Sequence, residues 1–159
     1  MNRLLKSLSE EEIGKLILDS AFKVHSALGP GLLESIYESA LAIELTKCRL
    51  LVERQKPISV FYEGVELDCA FRADLIVERK VLIELRSVET VTPLFRKITT
   101  NYVRLIPVKL GFIINFNEPH LKDGISRITN GLEGKNYFSD NSRIDLRKPS
   151  LPSRPSRDS

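Results

Sequence analysis

The chain has 159 residues, of which 42% are hydrophobic and 28% charged, and its formal net charge is +3. That composition suits one globular domain with its own core and excludes a low-complexity or fibrous chain. The small basic excess is compatible with nucleic acid without arguing for it, since dedicated electrostatic binders carry more. Two cysteines, Cys48 and Cys69, are too few for a zinc site or a disulfide framework and are expected as reduced, buried thiols. The N-terminal MNRLLKSLSEEE lacks the apolar run of a signal peptide, and no stretch approaches a membrane span. A soluble cytoplasmic protein without membrane contact is the expectation.

Ser9 followed by Glu12 fits a capping box and opens the first helix. Ile13, Leu16, Ile17, Ala21, Val24 and Leu28 then recur at helical spacing as one apolar stripe. Gly29-Pro30-Gly31 ends it. A second helix is predicted from about Leu32 to Lys47, burying Leu33, Ile36, Ala40, Leu41 and Leu45. Four strand-like segments follow: Leu50 to Arg54, Ile58 to Tyr62 beyond the breaker Pro57, Val65 to Val77, and Val81 to Val88. Pro93 at a first helical position predicts a third helix to Leu105. Leu110 to Phe116 reads as a strand buried on both faces, and a last helix is predicted from His120 to Leu132, with Leu121, Ile125 and Ile128 facing inward.

These elements divide the chain into a lead-in at 1–8, a domain at 9–138 and a Ser/Arg/Pro-rich tail at 139–159 expected to be disordered. The order α-α-β-β-β-β-α-β-α excludes a doubly wound nucleotide fold, and no glycine-rich phosphate loop follows a strand. The fold class is α+β, or mixed α/β, built round a central antiparallel hairpin.

That hairpin, FRADLIVERKVLIELRSV, concentrates the chemistry. With Glu78, Arg79 and Lys80 as its loop, Val77 pairs with Val81 and Asp74 comes opposite Glu84, with Arg72 opposite Arg86. Strict alternation puts Phe71, Ala73, Leu75, Val77, Val81, Ile83 and Leu85 on one apolar face, and Arg72, Asp74, Glu84, Arg86, Ile76 and Leu82 on the other. Facing carboxylates repel, and a divalent cation such as Mg²⁺ between them would remove the repulsion while keeping waters for a phosphate and a nucleophile. Arg86 could stabilise charge developing on phosphorus. The same four charged side chains could equally form a neutral surface salt-bridge cluster.

GLLESIYE, with Gly31, Glu34 and Tyr37 at the spacing G-x-x-E-x-x-Y, resembles the signature of the GxxExxY family. The resemblance extends through VHSALGPGLLESIYE, VERQKPISVFYEGVELD, FRADLIVERKVLIEL, LGFIINFN and LKDGISRITNGL, from about Leu16 to Leu132. It implies the PD-(D/E)XK restriction-endonuclease-like core, a mixed sheet flanked by helices. It further implies a Mg²⁺- or Mn²⁺-dependent nuclease acting on DNA or RNA. Asp74 would be the motif aspartate, Glu84 would open the E-x-K element, and Glu34 would assist metal binding from its helix. Asp74, Glu84 and Arg86 are thus the catalytic candidates, and Arg72 and Arg86 the candidate phosphate contacts. Tyr37, one turn from Glu34, is expected to pack or orient it.

Three positions depart from the family pattern. Arg86 replaces the motif lysine and stays protonated, so it cannot take a proton from water. Phe95 and Ile98 stand where relatives carry a histidine and a glutamine, while Tyr102 is retained. Together these point toward impaired catalysis, with a silent nuclease-fold protein binding nucleic acid or a protein partner as the alternative. A homodimer through exposed apolar residues of the third helix is a further possibility. His25 is expected to pack or cap, and His120 has no assigned role.

Overall fold

The computed structural model describes residues 7–106 and 108–131; the tail at 139–159 lies outside them. Helix α1 spans Glu10–Leu28 and opens with the expected box: Glu12 N–H donates to Ser9 Oγ at 3.2 Å, and Ser9 N–H donates to Glu12 Oε2 at 2.8 Å. Its stripe is buried at Ile13, Ile17, Ala21 and Val24 and half-buried at Leu16, but Leu28 comes out exposed at the turn into Gly29. Gly29 adopts φ +69° and Gly31 φ +92°, left-handed values that a side chain would strain.

Helix α2 spans Glu34–Lys47, starting later than Leu32. Its buried residues are Tyr37, Glu38, Leu41, Ala42 and Leu45, while Leu33 and Ile36 are exposed. Tyr37 joins the buried face because its hydroxyl finds backbone partners in the preceding loop. A polar-tipped aromatic can then replace the expected aliphatics in the core.

A five-stranded sheet has the order β1-β2-β3-β4-β5, with β1 at Val52–Tyr62, β2 at Val65–Val77, β3 at Val81–Arg86, β4 at Leu110–Asn115 and β5 at Ile125–Thr129. All pairs are antiparallel except β3 with β4, whose parallel pairing is bridged by α3 (Pro93–Leu105). The two strand segments expected on either side of Pro57 are one strand. β1 is an edge strand, where a missing N–H is tolerated because it need not feed a second neighbour. β3 stops at Arg86, short of the expected Val88.

The predicted last helix is replaced by a 3-10 turn at Leu121–Gly124 and then by β5. Every residue of β4 is buried, so backbone groups on its far side require partners that a helix could not provide. β5 supplies them, pairing Ile125 with Ile114 and Thr129 with Leu110. The approach is close: a Cβ on Gly124 would lie 2.3 Å from the Asn115 carbonyl oxygen.

One apolar core packs α1 and α2 on the sheet through Ile17, Leu41, Leu75, Ile83 and Phe112, among others. A smaller one on the opposite face joins Ile76, Leu82 and Ile113 to Val103 of α3. Leu75 belongs to the first core but Ala73 to the second, with Phe71 packed against it. Strict alternation would put all three on one face, so the pattern slips at Asp74. Cys48 and Cys69 are free thiols, as expected, but both are exposed rather than buried.

Candidate active site

The hairpin loop brings Val77 opposite Val81, and the β2–β3 ladder runs to the pair Leu75–Ile83. Beyond that pair side chains take over from backbone pairing. Leu85 N–H donates to Asp74 Oδ2 at 2.8 Å, and Asp74 N–H donates to Glu84 Oε1 at 3.4 Å. The expected juxtaposition of Asp74 and Glu84 therefore holds, at a fork where β2 leaves β3. Arg72 and Arg86 do not face each other: Arg72 is exposed and pairs with Pro57 on β1, while Arg86 pairs with Asn115 on β4. Once β2 diverges after Leu75, the hairpin register no longer governs residues farther out.

Glu84 is 5% exposed. Its carboxyl is pushed up to about 8, first by burial, then by the negative charge of Asp74 and a hydrogen bond between the two side chains. Arg86 opposes the shift but does not cancel it. At neutral pH Glu84 thus holds a proton beside the Asp74 carboxylate, as expected when like charges meet away from water.

Two residues that the sequence reading passed over position this pair. Gln55 Nε2 donates to Asp74 Oδ1 at 3.1 Å and to Glu38 Oε2 at 2.9 Å. Gln55 has φ +48°, a sparsely populated conformation for a residue with a side chain. Glu38, buried in α2, also accepts from Arg54 Nε at 3.2 Å. Its place four residues after Glu34 puts both on one helix face, which was legible. Gln55 was not, because only the β1–β2 register sets it across from Asp74.

Glu34 accepts from Ser87 N–H at 3.3 Å and lies 3.8 Å from Arg86 Nη1. Arg86 donates to the Leu85 carbonyl at 2.8 Å, and its guanidinium lies 3.7 Å from the centre of the Phe95 ring. Planar guanidinium stacks on an aromatic face in a way an ammonium does not, so Arg86 and Phe95 suit each other as a pair. Ile98 is exposed, and Tyr102 stacks on Phe71 with ring centres 3.9 Å apart.

Tyr37 is fully buried, donates to Gly29 O at 2.5 Å and accepts from Leu32 N–H at 3.1 Å. It stacks on Phe116 at 4.6 Å and thereby fixes the loop that delivers Glu34. His25 contributes to the same wall, its Nε2 lying 2.8 Å from the Glu118 carbonyl oxygen. His120 precedes the 3-10 turn without a side-chain capping bond. Between α2 and the fork lies an open cleft of about 500 Å³ whose lining includes Leu33, Glu34, Glu38, Gln55, Asp74 and Ser87.

A family model described as PD-(D/E)XK nuclease superfamily matches residues 11–128. The chain belongs to that superfamily. No curated protein and no solved structure matched this chain. In this PD-(D/E)XK domain the mixed sheet and its flanking helices are those of the superfamily core. Among the described residues no three His, Cys, Asp or Glu side chains form a ready metal cluster. The chemistry of the Asp74–Glu84 pair nevertheless fits a divalent cation. Two adjoining carboxyls that now accommodate a proton are a donor set Mg²⁺ accepts, with waters completing its shell. Glu34, engaged with Arg86 and Ser87, does not join them here.

Proposed function

We propose that this protein is a divalent-metal-dependent nuclease, hydrolysing phosphodiester bonds of DNA or RNA at the fork between β2 and β3. The observation that carries this reading is the meeting of the buried Glu84 with Asp74 at the fork, beside the cleft that Asp74 lines. A carboxyl buried against a second one, its pKa pushed up to about 8, is an unfavourable pairing that a bound cation would relieve.

Asp74 and Glu84 would hold Mg²⁺ or Mn²⁺, which when bound would supply charge neutralisation at phosphorus and an activated water. Glu84 must give up its proton first. Asp74 keeps its orientation through Leu85 N–H and Gln55, so the ligand is positioned before substrate arrives. Arg86 would bind a phosphate oxygen, a role supported by its long 3.8 Å contact with Glu34, which a closer phosphate could displace. Arg86 remains protonated and takes no proton from the nucleophile.

A second reading, a nuclease-fold protein that binds nucleic acid or a protein without cutting, is favoured by the packing of Arg86 on Phe95. A cleavage assay in Mg²⁺ or Mn²⁺ with wild type, Asp74→Ala and Glu84→Ala separates the two. Metal-dependent cleavage lost in both variants is expected. Metal binding and nucleic-acid binding without turnover in the wild type would select the silent form.

A further inference from the structure

The β1–β2 hairpin is longer than the sheet it belongs to. Pairing with β3 engages only Leu75 to Val77 of β2, whereas β1 and β2 stay paired out to Tyr62 and Val65. The outer half is a two-stranded ribbon. Its root is tied down by the stacking of Phe71 on Tyr102 of α3. Among the described residues nothing covers its tip: Phe61 is 55% exposed, and Tyr62 and Val65 are each 65% exposed. The ribbon from Ile58 to Phe71 carries Glu63, Glu66 and Asp68 and neither lysine nor arginine. An acidic, apolar tip repels nucleic acid and suits a basic, apolar protein surface.

Such a surface exists on the same molecule. Helix α3 carries Arg96, Lys97 and Arg104 and no acidic residue. Leu94, Lys97, Ile98, Asn101 and Arg104 are all exposed and recur at helical spacing, which makes one outward stripe. Leu94 is 67% exposed and Ile98 42%. A phosphate backbone would satisfy the two cations but leave the two aliphatic side chains in water. One face of the ribbon answers both properties: Phe61 meets the aliphatics, while Glu66, paired with Phe61 on that face, and Asp68 two residues along, with Glu63 at the turn, meet the cations.

We propose that the occupant of each surface is a second copy of this chain, the ribbon tip of one protomer docking on α3 of its partner. Two different patches on one chain close into a finite pair only about a two-fold axis, and the contact is then made twice. A stable specific pair buries roughly 1,600 Å² in total, so each of the two contacts supplies about half. Because α3 also carries Phe95 beneath Arg86, the partner's tip would stand beside the candidate active site.

Charge reversal tests this on the full-length chain by sedimentation. One variant carries Glu63→Lys and Asp68→Lys; the other carries Lys97→Glu and Arg104→Glu. All four positions are exposed, and far-UV circular dichroism checks that each variant is folded. Wild type is expected to be dimeric, and each variant alone to associate about tenfold more weakly or worse, because like charges then face each other. Mixed in equal amounts, the two variants should regain the dimer, since both contacts become complementary again. Phe61→Ser provides a charge-neutral disruption of the same contact. A wild type that stays monomeric up to its solubility limit overturns the proposal, as does a dimer indifferent to both reversals. A monomer whose α3 variant loses affinity for a DNA or RNA duplex would assign the stripe to nucleic acid and overturn it too.

Discussion

Replacing Glu84 by glutamine keeps the shape of the protonated acid and removes its titration, so it isolates the energetic effect of burying a carboxyl against Asp74. In the wild type the Glu84 carboxyl moves from about 4.5 in an unstructured chain to about 8 in the folded one. Between those values the folded state holds a proton that the unfolded state has released. Stability is therefore fully present below about pH 4.5 and is lost as pH rises through about 8. The slope is about 1.4 kcal/mol per pH unit, which over this window amounts to roughly 5 kcal/mol at most. Urea titrations of wild type and Glu84→Gln from pH 5 to pH 9, in chelator, measure the effect. The two should be close in stability at the acid end, with the variant more stable by several kcal/mol at the alkaline end. Adding Mg²⁺ should restore the wild type at high pH and leave Glu84→Gln unmoved. Parallel pH profiles for the two proteins would refute the assignment of the proton to Glu84.

Tyr37→Phe leaves the Gly29 carbonyl and the Leu32 N–H without their hydroxyl partner and should cost about 1–3 kcal/mol in thermal or urea unfolding. Gly124→Ala forces a Cβ against the Asn115 carbonyl, and a loss of about 1–3 kcal/mol or more is expected in the same assay. For Arg86 and Phe95, a double-mutant cycle with Arg86→Ala and Phe95→Ala should give a stabilising coupling of about 0.5–2 kcal/mol. A coupling indistinguishable from zero would mean that the two substitutions are independent departures rather than one pair.

Local rules written into the sequence determined a good part of this protein. The Ser9–Glu12 box, the Gly29 stop, Pro93 at the head of α3 and the Val77–Val81 hairpin depend on neighbours a few residues apart, and all stand in the structure as read. The meeting of Asp74 with Glu84 followed from that hairpin, since a short loop fixes register across two strands. Contacts from distant parts of the chain decided the rest. The segment after Gly124 became a strand because buried β4 needed a second partner, which no local periodicity could announce. Gln55 reached Asp74 through the pairing of β1 with β2, and Phe95 came under Arg86 through the crossover that makes β3 and β4 parallel. The slip of alternation at Asp74, which sends Ala73 to one core and Leu75 to the other, likewise belongs to the fork and not to the strand's own pattern. Backbone preference and register act over a few residues and can be read along the chain, whereas burial and side-chain partnership depend on what the folded sheet brings alongside.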